Sequence, residues 1–296
     1  MVPARVHASL LGLTVGDAFG ETFFFADCDE RVQHRRIAPR VPGPRHWTDD
    51  TAMALGIVEV LEHHGRIDQE ELARVFARNY AADPRRGYGG TAHSILREIG
   101  EGVPWQKAAG DAFYGQGSMG NGAAMRVAPL GAWFAEDLSR VVSEALASAA
   151  PTHAHADGGA GAVAVAVATA VAATGGTVDH FWAAILDLTP EGETRRALVQ
   201  ARLLTPGCSV LHAISVVGNG RGVISSDTVP FVIWSAALAI ERNDSFEEAL
   251  WRTVEGLGDR DTTCAMVGGI LGARLGADAI PAEWRDATES WPAWGR

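Results

Sequence analysis

The sequence is poor in positive charge, and lysine is almost missing from it. Of 296 residues, 25 are Lys or Arg against 36 Asp or Glu, and Lys107 is the only lysine. The formal net charge of −11 argues against nucleic acid as the main partner, because phosphate backbones select basic surfaces.

Cysteine and long apolar runs are also scarce. The three cysteines, Cys28, Cys208 and Cys264, are far apart and form no CxxC pair, so neither a disulfide framework nor a thiolate metal site is expected. The sequence shows no apolar run of about 18 residues, and Asp17 and Glu21 interrupt the apolar start of the chain, which makes it a poor signal peptide. We expect no membrane span and a cytoplasmic location.

Helical periodicity, by contrast, is abundant. Four segments carry apolar residues at helical spacing: 51–64, 69–81, 139–150 and 245–257. His63, His64 and Gly65 mark a C-terminus. Ser139 is the expected N-cap of the third segment, and the spacing of Ser245 and Glu248 predicts a capping box.

Segment 159–173, "GAGAVAVAVATAVAA", is ambiguous, since alternating valine suits a strand and alanine suits a buried helix. Its helical surroundings favour a tightly packed central helix. The sequence has no strand-helix-strand rhythm, no repeat and no long linker. We therefore predict one all-α domain over residues 1–296, a compact helical bundle. Glycine-rich loops at 87–90, 115–122 and 218–222 suggest that the bundle encloses a ligand.

Two segments near opposite ends of the chain share an acidic helix start. Residues 46–55 read "HWTDDTAMAL" and residues 258–267 read "GDRDTTCAMV". N-capping is the alternative explanation for either segment alone, because Asp and Thr favour helix starts. An N-cap uses one side chain, however, and a second carboxylate adds repulsion. If the two starts meet, four converging carboxylates would need two hard cations, which suits Mg²⁺ or Mn²⁺.

The sequence resembles the ADP-ribosylglycohydrolase family, which includes dinitrogenase reductase-activating glycohydrolase and the ADP-ribosyl-acceptor hydrolases. Six segments match in order: "GLTVGDAFG" at 12–20, "WTDDTAMAL" at 47–55, "RGYGGT" at 86–91, "GSMGNGAAMRVAPLG" at 117–131, "PTHAHADG" at 151–158, and "GDRDTTCAMVGGILGARLG" at 258–276. The resemblance implies an all-α fold around a binuclear Mg²⁺ or Mn²⁺ centre. The implied metal ligands are Thr48, Asp49, Asp50, Asp259, Asp261 and Thr262.

The resemblance also assigns a diphosphate-binding role to the loop at 117–122. Its members are Gly117, Ser118, Met119, Gly120, Asn121 and Gly122. Glycines there let backbone N–H groups point at phosphate oxygens, with Ser118 and Asn121 as further donors. Taken alone, such a loop is more often a plain turn, and it lacks the preceding strand of a dinucleotide-binding fold.

Three further residues are implied to contact the substrate, each with a structural alternative. His153 matches the family histidine that reaches the nucleotide, although a histidine before a helix is more often a cap or core group. With His155 it forms an H-x-H pair, but zinc is not expected without a third nitrogen or sulfur ligand nearby. Phe113 aligns with an aromatic that packs on adenine in some members, and a core position is the equal alternative. Tyr88 is expected to line the cleft.

The sequence departs from the family pattern at Phe24, where many members carry a glutamate. Glu21, three residues earlier, is expected to take over part of that role from one helical turn away. The expected catalytic residues are Asp49, Asp261 and Glu21. Asp17 is expected to cap or brace a loop of the metal site.

The resemblance implies hydrolysis of the ribosyl C1″ bond that joins ADP-ribose to an acceptor. The acceptor is a protein side chain, arginine first, or else a nucleobase or small molecule. Two other hypotheses remain: a two-metal hydrolase of another nucleotide sugar or phosphoester, and a non-catalytic protein that binds ADP-ribose.

Overall fold

The chain is described by a computed structural model, which covers residues 2–24, 28–35 and 43–292. The predicted helical periodicity is realised throughout these ranges. They contain two isolated β-bridges and no extended β-strand. The α-helices are α1 Ala4–Glu21, α2 Cys28–Gln33, α3 Asp49–His64, α4 Gln69–Ala82, α5 Gly90–Gly100, α6 Trp105–Gly115, α7 Ala128–Trp133, α8 Leu138–Ala149, α9 Ala156–Ala173, α10 Val178–Leu188, α11 Glu193–Leu203, α12 Val210–Val217, α13 Ser225–Arg242, α14 Phe246–Val254, α15 Arg260–Leu275 and α16 Ala282–Ala287. Short 3₁₀ turns lie at Asn121–Ala123 and Ala277–Ala279. The all-α prediction is confirmed.

Local sequence signals predicted six of these helices, with differences at their ends: α3, α4, α8, α9, α14 and α15. The prediction that α3 ends at Gly65 is confirmed, since Gly65 is left-handed and its N–H donates to Leu61. The predicted N-cap Ser139 is wrong. Asp137 caps α8 by accepting from the Arg140 N–H, and the Ser139 hydroxyl donates to the same carboxylate. Aspartate is the stronger acceptor, so it takes the cap position.

The predicted capping box of α14 is half formed. Ser245 accepts from the Glu248 N–H as expected, but the Glu248 carboxylate pairs with Arg35 at 2.7 Å instead of returning to the helix start. The helix also ends at Val254, three residues short of the prediction.

Helix α9 is the centre of the molecule. It packs against α7, α8, α10, α13 and α15, and its small residues allow these close approaches. The helical interpretation of segment 159–173 is therefore confirmed. By length and composition Ala156–Ala173 could cross a membrane, but 83% of that segment is buried inside the protein.

Helices α1 and α15 are held together by glycines on both sides of their interface. A Cβ on Gly12 would lie 2.2 Å from the Gly268 carbonyl oxygen, and one on Gly16 would lie 2.2 Å from the Cys264 carbonyl oxygen. At the end of α1, a Cβ on Gly20 would lie 2.3 Å from the Arg260 carbonyl oxygen. The backbones thus touch along the helices, which brings the C-terminus of α1 against the N-terminus of α15.

The segment that enters α3 is clamped by the C-terminal part of the chain. Arg45 forms a bridge with Thr288. Arg86 makes two 2.7 Å bonds to Glu289, and its guanidinium lies 3.7 Å from the Trp47 ring centroid. A bidentate, partly buried pair of this kind fixes geometry as well as adding energy. The clamp therefore sets the position of Thr48, the first residue of the acidic helix start.

Buried side chains from Val6 to Trp284 form one hydrophobic core. This agrees with a single domain, although the predicted bounds of 1–296 extend beyond the described residues.

Candidate active site

Helix α3 is capped by a side chain from another helix. Thr48 occupies the N-cap position but makes no capping bond itself. Instead the buried Asp17 of α1 accepts hydrogen bonds from the N–H groups of Thr48 and Thr51 at 2.9 and 3.1 Å, and from the Thr51 hydroxyl at 2.6 Å. This is the bracing role expected of Asp17. Because Asp17 satisfies the helix start, Asp49 and Asp50 are released from that task.

The two acidic helix starts meet. The Thr262 hydroxyl at the start of α15 donates to Asp50 Oδ2 at 3.4 Å, and the Thr48 hydroxyl also lies 2.9 Å from that oxygen. At α15 the N-cap residue Asp259 makes no side-chain capping bond. The N-capping alternative therefore accounts for neither aspartate pair, and we call Asp49, Asp50, Asp259 and Asp261 the acidic cluster.

Burial and mutual repulsion disfavour ionisation across the acidic cluster. Burial, then repulsion from Asp17, raises the pKa of Asp49 to about 8. The same two causes hold the pKa of Asp50 well above its usual range. Burial and then Asp259 act likewise on the pKa of Asp261. Without a counter-charge the cluster would hold protons at neutral pH.

The residues of the acidic cluster fit hard divalent cations in their chemistry. Asp50 Oδ1 and Asp261 Oδ1 are buried and have no hydrogen-bond partner in the part of the chain that the structure describes, which leaves two lone-pair-bearing oxygens uncompensated. Carboxylate and hydroxyl oxygens are the donors that Mg²⁺ and Mn²⁺ prefer. Within the described ranges no three His, Cys, Asp or Glu side chains form a group that could hold an ion.

A cavity of about 450 Å³ opens beside the cluster. Its walls come from the end of α1, the segment before α3, the loop before α5, the start of α15 and the C-terminal segment: Glu21, His46, Trp47, Thr48, Asp83, Arg85, Arg86, Gly87, Asp261 and Glu289. Glu21 is partly buried there, and burial followed by repulsion from Asp17 raises its pKa to about 7. Glu21 and Asp261 thus share one wall of the cavity.

Phe24 has a different position from Glu21. Helix α1 ends at Glu21, so the expected helical turn does not continue to Phe24. Phe24 does not contribute to the cavity wall and is 45% exposed, and the Arg260 guanidinium lies 5.1 Å from its ring centroid. An aromatic that covers a cation there replaces the expected carboxylate, while Glu21 is the carboxylate that faces the cavity.

The loop at 117–122 is held from within and from α13. Gly117, with a φ of 74°, donates its N–H to Ala112. The Gly120 N–H donates to the Ser118 hydroxyl at 3.1 Å, so that hydroxyl turns toward the loop itself. Met119 is 38% exposed. Among the described residues, no acceptor takes the N–H of Ser118 or Met119, which leaves these two donors for a ligand.

Asn121 is used differently from the expectation. Its side-chain amide donates to Asp259 Oδ2 at 2.7 Å and to the Thr228 hydroxyl at 3.1 Å. It therefore serves the acidic cluster in this structure, where we expected a phosphate donor. The bond also ties the loop directly to the start of α15. No residue of the loop lines the cavity. The acidic cluster contacts both, since Asp259 bonds to Asn121 of the loop and Asp261 lines the cavity.

Two of the remaining expected contacts lie at this loop. A Cβ on Gly122 would lie 3.0 Å from His153 Nε2, so the imidazole edge rests on the loop. Phe113 lies four residues before the loop, has a left-handed φ of 51° and is 54% exposed, which contradicts the core alternative. Tyr88, by contrast, is buried against Tyr80 and does not contribute to the cavity wall.

Sequence reasoning missed Arg126, the largest fully buried side chain among the described residues. Its signal was an arginine inside the apolar run "AAMRVAPLG" at 123–131. A charged group there requires internal partners, and this requirement indicates a role for Arg126.

Comparison with known proteins agrees with this architecture. The sequence model of the ADP-ribosylglycohydrolase family matches residues 2–294. The chain is 29% identical to human ADP-ribosylhydrolase ARH3, with 97% of this chain and 90% of the relative covered. It is 26% identical to the ADP-ribosylarginine hydrolase Tri1 of Pseudomonas putida, with 95% and 73% covered.

A solved structure described as an ADP-ribosylglycohydrolase-related protein complex is similar in fold. It superposes with a TM-score of 0.68 at 26% identity and covers 97% of this chain and 92% of the other. The family match spans nearly every described residue, including both acidic helix starts and the loop at 117–122. The chain therefore belongs to the ADP-ribosylglycohydrolase family, and it is an enzyme of that glycohydrolase type.

Proposed function

We propose that this protein hydrolyses the ribosyl C1″ bond between ADP-ribose and an acceptor. The acidic cluster carries the proposal, because it contacts the loop at 117–122 through Asp259 and lines the cavity through Asp261. The diphosphate binds at the loop, the ribose lies over the cluster, and the acceptor occupies the cavity. Water contributes hydroxide to C1″ and a proton to the departing acceptor.

Thr48, Asp49, Asp50, Asp259, Asp261 and Thr262 would hold two divalent cations. When bound, such cations stabilise the ionised carboxylates, bind oxygen groups of the substrate and lower the pKa of water. The unpartnered oxygens of Asp50 and Asp261 support this part of the proposal. Mg²⁺ and Mn²⁺ both suit these donors.

Glu21 is the proposed proton carrier on the acceptor side. It faces the cavity, and a carboxyl whose pKa lies near 7 can both give and accept a proton at neutral pH. Asp49 and Asp261 lie at the cluster, where Asp261 also reaches the cavity wall. Their proposed part is to orient the water and the ribose.

Arginine is the proposed acceptor. The cavity carries Glu21 on its wall, and a carboxylate complements a guanidinium. The relative Tri1 is named an ADP-ribosylarginine hydrolase, which supports the same acceptor. The Arg86 guanidinium on the wall is neutralised by Glu289 and by Asp83 at 3.0 Å, so it does not cancel the charge of Glu21.

The experiment is a release assay with arginine-, serine- and nucleic-acid-linked ADP-ribose, with Mg²⁺, Mn²⁺ or a chelator. We expect free ADP-ribose with an intact diphosphate, dependent on a divalent cation and fastest from arginine. AMP with ribose phosphate as products would contradict the proposal in favour of phosphoester hydrolysis. Binding of ADP-ribose without any release would favour a non-catalytic role.

A further inference from the structure

Arg126 is a buried cation whose direct partners are all neutral. It has no solvent exposure, and within the described ranges no carboxylate forms an ion pair with it. Its Nη2 donates to the Ser148 carbonyl at 2.8 Å and to the Thr152 hydroxyl at 2.9 Å. Its guanidinium lies 4.5 Å from the Phe76 ring centroid. Burying a charge without an ionised hydrogen-bond partner costs free energy. This cost indicates that Arg126 has a role in the molecule that offsets it.

The hydrogen bonds from Arg126 have a fixed direction. A guanidinium only donates, so the Thr152 oxygen must accept from Arg126. The other partner of that hydroxyl is Nδ1 of His153, at 2.8 Å. Thr152 is 1% exposed, and a buried hydroxyl proton needs an acceptor. The Thr152 hydroxyl therefore donates to His153 Nδ1.

An imidazole that accepts at Nδ1 must carry its single proton at Nε2 when it is neutral. Burial, then the charge of Arg126, lowers the pKa of His153 to about 3, which keeps the ring neutral. The Nε2 atom faces the loop: a Cβ on Gly120 or Gly122 would lie 3.2 or 3.0 Å from it. The absence of side chains at both glycines leaves this N–H open to a ligand on the loop.

We infer that Arg126 is a positioning residue that, through Thr152, holds His153 in the Nε2–H tautomer as a neutral donor to an anionic ligand on the loop at 117–122. The hydrogen bonds run in one direction, from Arg126 to Thr152 and from Thr152 to His153, because a guanidinium cannot accept. Without these bonds, the tautomer with a lone pair at Nε2 would face the loop and repel phosphate oxygens. The identity of the anion as the diphosphate of ADP-ribose rests on the proposed function, whereas the tautomer does not.

The test uses the full chain with ¹⁵N-labelled histidine, near pH 7.5 and with Mg²⁺. Two-bond ¹H–¹⁵N correlation spectra report which ring nitrogen carries the proton, and the His153→Gln spectrum assigns the signals of His153. We compare wild type with Thr152→Val, which keeps the shape and loses the hydroxyl, and with Thr152→Ser, which restores the hydroxyl. Arg126→Met tests the first donor of the chain.

Wild type and Thr152→Ser should show the Nε2–H tautomer. Thr152→Val and Arg126→Met should show Nδ1–H or a mixture. Calorimetric titration with ADP-ribose should be at least about tenfold weaker for Thr152→Val than for Thr152→Ser, as expected for losing a hydrogen bond to a charged group.

An Nδ1–H tautomer in wild type would overturn the inference, and so would an unchanged tautomer in Thr152→Val. Should Arg126→Met fail to fold, the two Thr152 variants still decide the question. Equal ADP-ribose affinity in Thr152→Val despite a changed tautomer would overturn the ligand-binding role. Expected tautomers together with no ADP-ribose binding at all would support the tautomer control and contradict the proposed function instead.

Discussion

At the scale of the residue, Glu21 is the group whose position and acidity both favour proton transfer. It lines the cavity, and its pKa is raised to about 7 by burial and by Asp17. We expect Glu21→Gln to lower kcat at least about tenfold, because general acid-base catalysis contributes a factor of roughly one hundred to ten thousand. Affinity for ADP-ribose should change little, since the loop at 117–122 is untouched.

Steady-state kinetics and calorimetry check this prediction. Glu255→Gln is the control, because Glu255 also has a pKa raised by burial but lies at the end of α14, outside the cavity wall. Turnover of Glu21→Gln at the wild-type rate across pH would mean that Glu21 has no part in proton transfer.

A second residue-scale prediction separates ligand carboxylates from capping ones. Asp261→Asn should weaken divalent-cation binding and abolish turnover. It should leave the melting temperature of the metal-free protein unchanged or higher, because a neutral amide replaces a buried carboxyl whose ionisation is already disfavoured by burial and by Asp259. The control is Asp68→Ala, since Asp68 accepts from the Glu71 N–H and caps α4; its loss should cost about 1 kcal/mol.

Calorimetric titration with Mg²⁺ and thermal melts with and without chelator provide the readouts. A fall in metal-free stability for Asp261→Asn as large as that of Asp68→Ala would restore the capping explanation of the second acidic helix start.

At the scale of the element, the contact between α1 and α15 controls the site. A Cβ at Gly16 would lie 2.2 Å from the Cys264 carbonyl oxygen, and neither backbone can yield without moving a helix. We expect Gly16→Ala to destabilise the fold by about 1–3 kcal/mol or more. It should also weaken cation binding, because the end of α1 holds Asp17 and Glu21 beside the acidic cluster.

Gly110→Ala is the matched control, since Gly110 lies in α6 with nothing within 4 Å of an added Cβ. Replacing a helical glycine there should stabilise by up to about 1 kcal/mol. Urea unfolding measures both variants. A Gly16→Ala protein as stable as wild type would show that the two helices are not in backbone contact.

At the scale of the whole molecule, the acidic cluster couples folding to pH and to cations. Asp49, whose ordinary pKa of 3.8 rises to about 8, binds a proton in the folded chain that the unfolded chain has released. Its contribution to stability is complete below about pH 4 and is lost as the pH rises through 8. Glu21 behaves in the same way: its contribution is complete below about pH 4.5 and is lost as the pH rises through about 7.

His153 acts in the opposite direction, but in a lower range. Its pKa falls from 6.5 to about 3, so its contribution is complete above pH 6.5 and is lost as the pH falls toward 3. Between pH 6.5 and 8.5 the carboxylates therefore dominate. We expect the metal-free protein to lose stability over this window, by up to about 1 kcal/mol per pH unit for each carboxyl that is still protonated in the folded chain.

Cations should reverse this trend, because they bind the ionised carboxylates. The gain in melting temperature from saturating Mg²⁺ should increase from pH 6.5 to 8.5. Asp49→Asn should flatten the metal-free slope, since it removes one titrating group. A metal-free melting temperature that climbs over the same window would contradict the protonated state of the cluster.

Local chemistry determined much of this protein from sequence alone. Apolar spacing gave the helices, and both acidic segments begin helices as predicted. Hydrogen bonds between residues three or four apart produce those signals, so neighbouring residues suffice to read them. The end of α3 at Gly65 belongs to the same class. The error at the start of α8 is also local, because two adjacent candidates, Asp137 and Ser139, competed for one cap.

Only the tertiary structure decided how those segments work together. The capping of α3 by Asp17, the bond between Asn121 and Asp259, and the buried chain from Arg126 to His153 join residues separated by 26 to 138 positions. Sequence spacing carries no distance information over such intervals. Helices come together where their surfaces are complementary, and here glycines let the backbones of α1 and α15 touch. That contact turned two separate acidic helix starts into one buried cluster.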